Sequence, residues 1–319
     1  MRRNLQGGDY QLTKSKVVVL GNGFLGVRSA LHLAATCDQV QVIARTKKNS
    51  DAKLLEHGIE VEHALEPDSF WKAAIDASSD ADSLITAIGL ASPALAQSQP
   101  DVAETLTSQI ISGLTGTLQK YPSLKLVYFS SGGTVYGDNP NEVIDEAQPL
   151  APMGVYGQMH VSAERQLSAA TGADPSRLTV ARIANPYGEH HASSRGQGLV
   201  SIVIEMLKEN QPITLIDSGN QVRDYVFVDD VAKAVAALAT SATKDVVYNV
   251  GTGRGTSTLN MVMQIAELMG IEPVINFAPS RGFDPSRNVL DNTKLKTEFG
   301  IDFMTPEQGL LLTLDRFDF

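Results

Sequence analysis

The run KVVVLGNGFLG (Lys16–Gly26) restricts what this chain can become more than any other stretch. Three consecutive valines, with no polar alternation, suit a strand buried on both faces. Such strands belong to parallel sheets covered by helices, and a helical stretch, VRSALHLAATC, follows the glycines. The alternation continues. QVQVIAR (Gln39–Arg45), SLITAIG (Ser83–Gly89), LKLVYFSS (Leu124–Ser131) and LTVARIA (Leu178–Ala184) read as strands, and Asp101–Lys120 is one of the helices between them. This predicts an α/β fold, a Rossmann-like doubly wound parallel sheet with ligands beyond the C-terminal strand ends. After Asn185 the pattern loosens. GEHHASSRGQG and LIDSGNQVRDY read as loops, and helical stretches Val231–Thr240 and Thr258–Met269 stand between extended pieces. A smaller α/β domain closing over the strand ends is expected. The expected division is 1–184 for the sheet domain, with 225–250 returning to it, and 185–319 mainly for the smaller one.

The 319 residues suit about two domains of roughly 150 each, and a 43% hydrophobic content supports a sizeable core. The net charge of -10 argues against non-specific nucleic-acid binding but leaves room for a local basic pocket for a phosphorylated small molecule. A single cysteine, Cys37, excludes an internal disulfide and a thiolate metal cluster, which fits a reducing cytoplasm. Cys37 itself reads as inert packing. The N-terminal MRRNLQGGDYQLTKS has no apolar run behind its basic residues, and VVVL is too short to span a bilayer. A soluble cytoplasmic protein without membrane or nucleic-acid partners is expected, and a homodimer is an open assembly. His190 and His191 lack further ligands at metal-binding spacing, so no metal is expected. Trp71 reads as a helix face against the sheet, and Asp229 or Asp230 as the cap of VAKAVAALA.

Gly21, Gly23 and Gly26 form G-x-G-x-x-G between a strand and a helix, the context in which that motif binds a dinucleotide. Glycines let the backbone approach a pyrophosphate, and the helix N-terminus offers free N–H groups. Gly21, Gly23, Phe24, Leu25 and Gly26 are therefore candidate cofactor residues. Ala87 and Gly89, at the end of the SLITAIG strand, join them. NAD-selective sites carry an acid at the end of the second strand. Here Ala44 holds that position, followed by Arg45, Lys47 and Lys48. A guanidinium pairs with a ribose 2′-phosphate, which points to NADP, with NAD as the alternative.

VYGQMH (Val155–His160) places Tyr156 four residues before His160, so on a helix the two share a face. A phenol beside a cationic group is either a tuned proton donor or a chance neighbour.

Taken with SSGGTVYG (Ser130–Gly137), RIANPYG (Arg182–Gly188), QVRDYVFVDDVAKAV (Gln221–Val235), YNVGTG (Tyr248–Gly253) and SRGFDPSRNVLDNTKLKTEFGI (Ser280–Ile301), these motifs resemble the nucleotide-sugar epimerase/dehydratase family of extended short-chain dehydrogenases/reductases, of the UDP-glucose 4-epimerase-like kind. The resemblance runs along nearly the whole chain. It implies hydride exchange between NAD(P) and a sugar carbon, usually C4. It implies Tyr156 as the acid/base, with a Ser/Thr hydroxyl on the same oxygen. The lysine of the family's Y-x-x-x-K holds the nicotinamide ribose and lowers the tyrosine pKa. It further implies Arg223 and Arg281 on the substrate diphosphate, Asp284 on the nucleotide ribose and Asn185 on the substrate.

Four departures stand out. The first family glycine is Leu20, so Gly21 is expected to make the tight turn. The family's Gly-Asp-Leu after the third strand reads HAL (His63–Leu65). The usual Ser/Thr aligns with Gly132, leaving Thr134 or Ser131 as the donor. The lysine is His160, expected to position the cofactor more than to charge the site. Gly132, Gly133 and Thr134 replace the dehydratases' Thr-Asp-Glu, which argues against water elimination. The expected function is NAD(P)-dependent 4-epimerisation of a nucleotide-diphosphate sugar. An NADPH-dependent 4-keto-sugar reductase and a non-catalytic cofactor- or nucleotide-binding protein are the alternatives.

Overall fold

In β1 (Lys16–Leu20), Val17 and Val19 enter one apolar core while Val18 and Leu20 enter another. Both faces of the strand lie under helices, as its unbroken apolar run implies. The computed structural model describes residues 15–139, 143–188, 198–280 and 285–317. After β1 come α1 (Phe24–Leu33), β2 (Gln39–Ala44), α2 (Ser50–Glu56), β3 (Glu60–His63), α3 (Pro67–Ala77), β4 (Ser83–Thr86), α4 (Pro93–Ser98), α5 (Pro100–Lys120), β5 (Lys125–Ser131), α6 (Gly132–Val135), α7 (Val155–Ala170) and β6 (Leu178–Ile183). The second half supplies β7 (Asn185–Tyr187), α8 (Leu199–Lys208), β8 (Ile213–Ile216), β9 (Val222–Phe227), α9 (Val228–Thr240), β10 (Val247–Val250), β11 (Gly255–Ser257), α10 (Thr258–Met269), β12 (Ile275–Ala278), β13 (Arg287–Asn288), α11 (Thr293–Phe299) and α12 (Pro306–Arg316).

Seven strands form one parallel sheet in the order β10-β6-β5-β4-β1-β2-β3. The order turns back between β1 and β4, which opens a crevice at their C-terminal ends. β2 stops at Ala44 and β4 at Thr86, so Arg45, Ala87 and Gly89 stand in the loops lining that edge. β10 returns from the second half of the chain to pair with β6. α9 covers the same face as α1, with Val231, Val235 and Leu238 in one core with Val27, Ala30 and Leu33.

Outside this sheet, β9 is the hub. It pairs with β11, β13 and β7. The expectation of a loop over LIDSGNQVRDY is therefore corrected. Its partners lie far away in sequence, so local turn signals outweighed the strand pattern when the stretch was read alone. A third core, with Val203, Ile204, Ile213, Leu215, Phe227, Met261 and Ile265, fills this part. One smaller expectation also changes. α9 starts at Val228 with Phe227 at its cap position, so Asp229 and Asp230 sit in the first turn, where carboxylates favour the helix dipole. Asp230 accepts from the Met304 amide at 2.7 Å, and Asp229 pairs with Arg316 at 2.5 Å. Trp71 packs against the core that carries Val18, Leu20 and Leu84 of the sheet, and also against α5, where Gly113 leaves its ring room that a Cβ would occupy at 2.2 Å. No helix among the described residues is long and apolar enough to cross a membrane.

Asp224 ties β9 to the large sheet. Its fully buried carboxylate accepts from the Thr252 amide (2.9 Å) and hydroxyl (2.6 Å), the Gly253 amide (3.2 Å) and the Leu290 amide (3.2 Å). Burial pushes this carboxyl above its ordinary value, and those four donors pull it back. Removing the acceptor leaves several buried donors without partners, each worth about 1–3 kcal/mol. Asp224→Ala is expected to lower the unfolding free energy by about 3 kcal/mol or more in chemical denaturation. A loss below about 1 kcal/mol contradicts this account.

Candidate active site

The β1–α1 turn is built for close approach. Gly21 has φ +103°, its amide donates to the Ile43 carbonyl at 2.8 Å, and a Cβ there would lie 2.9 Å from the Ala87 carbonyl oxygen. Leu20 stays in β1, paired with Ile43, so the tight turn falls at Gly21. At Gly26 a Cβ would lie 2.0 Å from the Gly21 carbonyl oxygen, so helix packing requires that glycine too. Gly23 differs: a Cβ there meets nothing within 4 Å, and neither does one at Gly89. Packing does not explain glycine at 23, where the backbone stands open. Gly23 is the N-cap of α1, and no side chain caps the first amides. The space in front of them suits a phosphate. Phe24 and Leu25 turn their side chains into the third core, leaving the backbone to face the cradle.

Beyond this cradle lies a cavity of about 100 Å³ lined by Arg45, Phe70, Trp71, Ile88, Leu90 and Ile110, among others. The Arg45 guanidinium stands 6.0 Å over the Phe70 ring. A polar cluster at the same edge went unforeseen. Asp51 accepts from the Asn22 side chain (2.8 Å) and the Lys48 amide (2.8 Å), and its Oδ2 lies 2.9 Å from His63 Nε2. Burial raises the Asp51 carboxyl, but the hydrogen bonds of Lys48, Asn22 and His63 outweigh it and leave the group below its ordinary value. The Lys48 ammonium donates to the Asn22 carbonyl at 3.0 Å. Lys48 and His63 thus brace the glycine loop, while Arg45 and Lys47 are exposed.

Tyr156 and His160 share one face of α7, their ring centroids 4.7 Å apart and edge to face. His160 is 4% exposed, and burial pushes its imidazole down to about 4, so at neutral pH it is uncharged. This accords with a histidine that carries no charge into the site, because a charge in this buried position is poorly solvated. Burial pushes the Tyr156 phenol up to about 12, and only a hydrogen bond with the Ser131 side chain lowers it. Ser131 is therefore the hydroxyl at the phenol. Thr134 instead donates to the Ser131 carbonyl at 3.3 Å. A serine at Gly132 would press its Cβ to 2.9 Å from the Arg182 carbonyl oxygen, so the usual donor position is closed here. One turn beyond His160, Glu164 accepts from Arg182 Nε (3.1 Å), Arg182 Nη2 (2.6 Å) and Ser130 (2.5 Å). Arg182 also donates to Tyr136, which donates to Asn249 at 2.7 Å. The spacing Tyr156, His160, Glu164 in steps of four was the signal that could have found this network.

Asn185 lies near Gly133, where a Cβ would be 3.6 Å from its amide nitrogen, and it donates to the Asp224 carbonyl at 3.3 Å. Arg223 follows on β9, donating to the Val222 carbonyl at 2.9 Å. The fold thus runs from Ser131 through Asn185 to Arg223. Arg281, Asp284, His190 and His191 lie outside the described residues.

A doubly wound sheet with a tight glycine turn after β1 and a tyrosine–serine pair after β5 defines a protein of the Rossmann-like, dinucleotide-binding class. More particularly, the chain belongs to the NAD dependent epimerase/dehydratase family, whose model matches residues 17–251. It is 34% identical over 179 residues to the UDP-glucose 4-epimerase of Mycolicibacterium smegmatis, covering 55% of this chain and 56% of that one. The chain spans less than two thirds of the curated relatives it first matches. Among solved structures, the Thermus thermophilus UDP-glucose 4-epimerase complex with NAD superposes with a TM-score of 0.82 at 27% identity, covering 95% of this chain and 99% of that one. The Thermotoga maritima UDP-glucose 4-epimerase with UDP-glucose gives 0.84 at 27% identity, covering 95% and 98%.

The neutral histidine has a consequence for stability. Folded His160 takes a proton only near pH 4, whereas an unfolded imidazole takes one near 6.5. Acid therefore favours the unfolded chain across that window, by about 3 kcal/mol at its lower end. Urea titrations should show the native protein losing stability more steeply between pH 6.5 and 4 than His160→Gln. Equal slopes would mean that the folded imidazole titrates normally.

Proposed function

We propose that this chain is an NAD(P)-dependent 4-epimerase of a nucleotide-diphosphate sugar. The observation that carries the reading is the Tyr156–Ser131 pair on the strand-end rim that also bears the glycine cradle. The likeness to enzymes solved with NAD and with UDP-glucose supports it. The backbone of Gly21, Gly23, Phe24, Leu25 and Gly26 would hold the pyrophosphate, Ala87 and Gly89 would border it, and His160 would face the nicotinamide end. When bound, the cofactor supplies hydride exchange with a sugar carbon, C4 in this reading. Tyr156 moves the proton of the hydroxyl on that carbon, and Ser131 holds the same oxygen. Arg223, with Arg281, neutralises the diphosphate; Asn185 contacts the sugar and Asp284 the nucleotide ribose. The single cysteine supports work in a reducing cytoplasm, and a homodimer is the assembly proposed.

The finer reading of the cofactor is NADP, since Arg45 and Lys47 stand exposed where an acid would select NAD. Calorimetry is expected to give tighter binding of NADP than of NAD, and Arg45→Asp to reverse or abolish the preference. Equal affinities in the native protein overturn NADP selectivity and leave the epimerase reading standing.

One observation favours a second reading, the NADPH-dependent 4-keto-sugar reductase. With no cation lowering it, Tyr156 is a phenol at neutral pH, ready to protonate an alkoxide but a weak base for the oxidising half of an epimerisation. Tyr156→Phe should reduce turnover by about 10²–10⁴-fold with cofactor binding intact. His160→Lys should move the tyrosine limb of the rate profile to lower pH. Arg223→Ala should weaken nucleotide-sugar binding by about 1.5–3 kcal/mol. Full activity of Tyr156→Phe on a confirmed substrate removes Tyr156 from proton transfer. No turnover of any nucleotide sugar, by the native protein or by His160→Lys, moves the assignment to a binding protein.

A further inference from the structure

Behind Tyr156 lies a second tyrosine. Tyr128, on β5, is 2% exposed, and its hydroxyl lies 3.0 Å from His160 Nδ1. Tyr128 Oη has no other hydrogen-bond partner among the described residues. A phenol always carries one hydrogen, and the one acceptor in reach is Nδ1. The phenol must therefore donate, Nδ1 must be bare, and the imidazole proton must sit on Nε2. His160 Nε2 is buried and has no partner in the protein. A buried N–H without an acceptor costs about 1–3 kcal/mol, a cost that an acceptor oxygen brought by a ligand would remove.

The character of that oxygen follows from the surroundings. The groups that face the imidazole are the neutral phenols Tyr128 and Tyr156. The nearest carboxylate along α7, Glu164, is already neutralised by Arg182. A phosphate or carboxylate brought against a neutral N–H would lack a countercharge in a dry wall. An uncharged sugar hydroxyl fits, since it accepts one hydrogen bond and needs no ion.

We propose that Tyr128 is a positioning residue: its hydroxyl locks His160 as the Nε2–H tautomer, so that one fixed, neutral N–H beside Tyr156 receives a sugar hydroxyl of the bound ligand, either the cofactor ribose or the substrate sugar. The ligand half of this proposal rests on the function proposed above; the tautomer half does not. It also gives the histidine its use. A lysine offers a mobile cation, whereas the Tyr128–His160 pair offers one directed donor with no charge to solvate.

The test uses the full chain labelled with ¹⁵N-histidine, with the His160 resonances identified by their loss in His160→Gln. At neutral pH without ligand, Nε2 should carry the proton and Nδ1 should not. In Tyr128→Phe that preference should be lost while the thermal transition stays cooperative. NADP, NAD and UDP-glucose are then added separately. The proposal expects one of them to shift the Nε2 resonance, with the dinucleotides marking the cofactor ribose and UDP-glucose the substrate sugar. That same ligand should bind about tenfold more weakly to Tyr128→Phe by calorimetry. Tyr128→Phe should raise the matching KM more than it lowers kcat. An Nδ1–H tautomer in the native protein overturns the proposal. So does a ligand that binds the native protein with Nε2 unmoved, or unaltered affinity in Tyr128→Phe. If none of the three binds the native protein, the proposed function falls and takes the ligand half with it, while the tautomer result still decides the role of Tyr128.

Discussion

The buried pair between Arg182 and Glu164 holds the site in register. Arg182 comes from β6 and Glu164 from α7, and Ser130 of β5 adds a third bond to the same carboxylate. Through Tyr136 the arginine reaches Asn249 on β10. One guanidinium thus fastens three neighbouring strands to the helix that bears Tyr156. A helix lying on a sheet by apolar contact alone can rotate or slide with little penalty. A bidentate ion pair in a dry interior has one geometry, and breaking it leaves a charge unsolvated. The face of α7 is set this way, and Tyr156 meets Ser131 as a result.

The same dryness governs the chemistry. Burial raises the phenols of Tyr128, Tyr136 and Tyr156 and lowers the imidazole of His160, so each favours its neutral form. Around Tyr156 the chain has replaced charge with directed hydrogen bonds: Ser131 at the phenol and Tyr128 behind the histidine. Such an arrangement gives up electrostatic assistance to a tyrosinate and keeps precise donor placement. It needs no countercharge, which accords with a helix stripe that carries a tyrosine, a histidine and an already neutralised glutamate.

The glycine loop shows two reasons for one residue type. Gly21 and Gly26 are required by the protein itself, since a Cβ at either would strike backbone. Gly23 is not, and its flank at the head of α1 is bare. Around the loop, Asn22, Lys48, Asp51 and His63 form a brace that fixes the crevice edge before anything binds. His63 thus has a structural use at the point where the family's pattern carries a different triplet.

By itself the sequence determined the doubly wound sheet, because strands buried on both faces leave an unbroken apolar signature that neighbours cannot disguise. It determined the tight glycine turn between β1 and α1, since G-x-G-x-x-G after such a strand signals one, and it put Tyr156 and His160 on one helix face, since helical spacing is local. Tertiary structure alone decided the rest. That QVRDY is the hub strand β9 depended on β7, β11 and β13, all distant in sequence. That Ser131 rather than Thr134 meets the phenol depended on how α6 turns and on the closed space at Gly132. That His160 is neutral depended on burial, and that its Nδ1 meets a phenol depended on Tyr128, 32 residues earlier in the chain. Local pattern sets which residues share an element; solvation and long-range contact set their charge and their partners, and these exist only once the chain has closed around them.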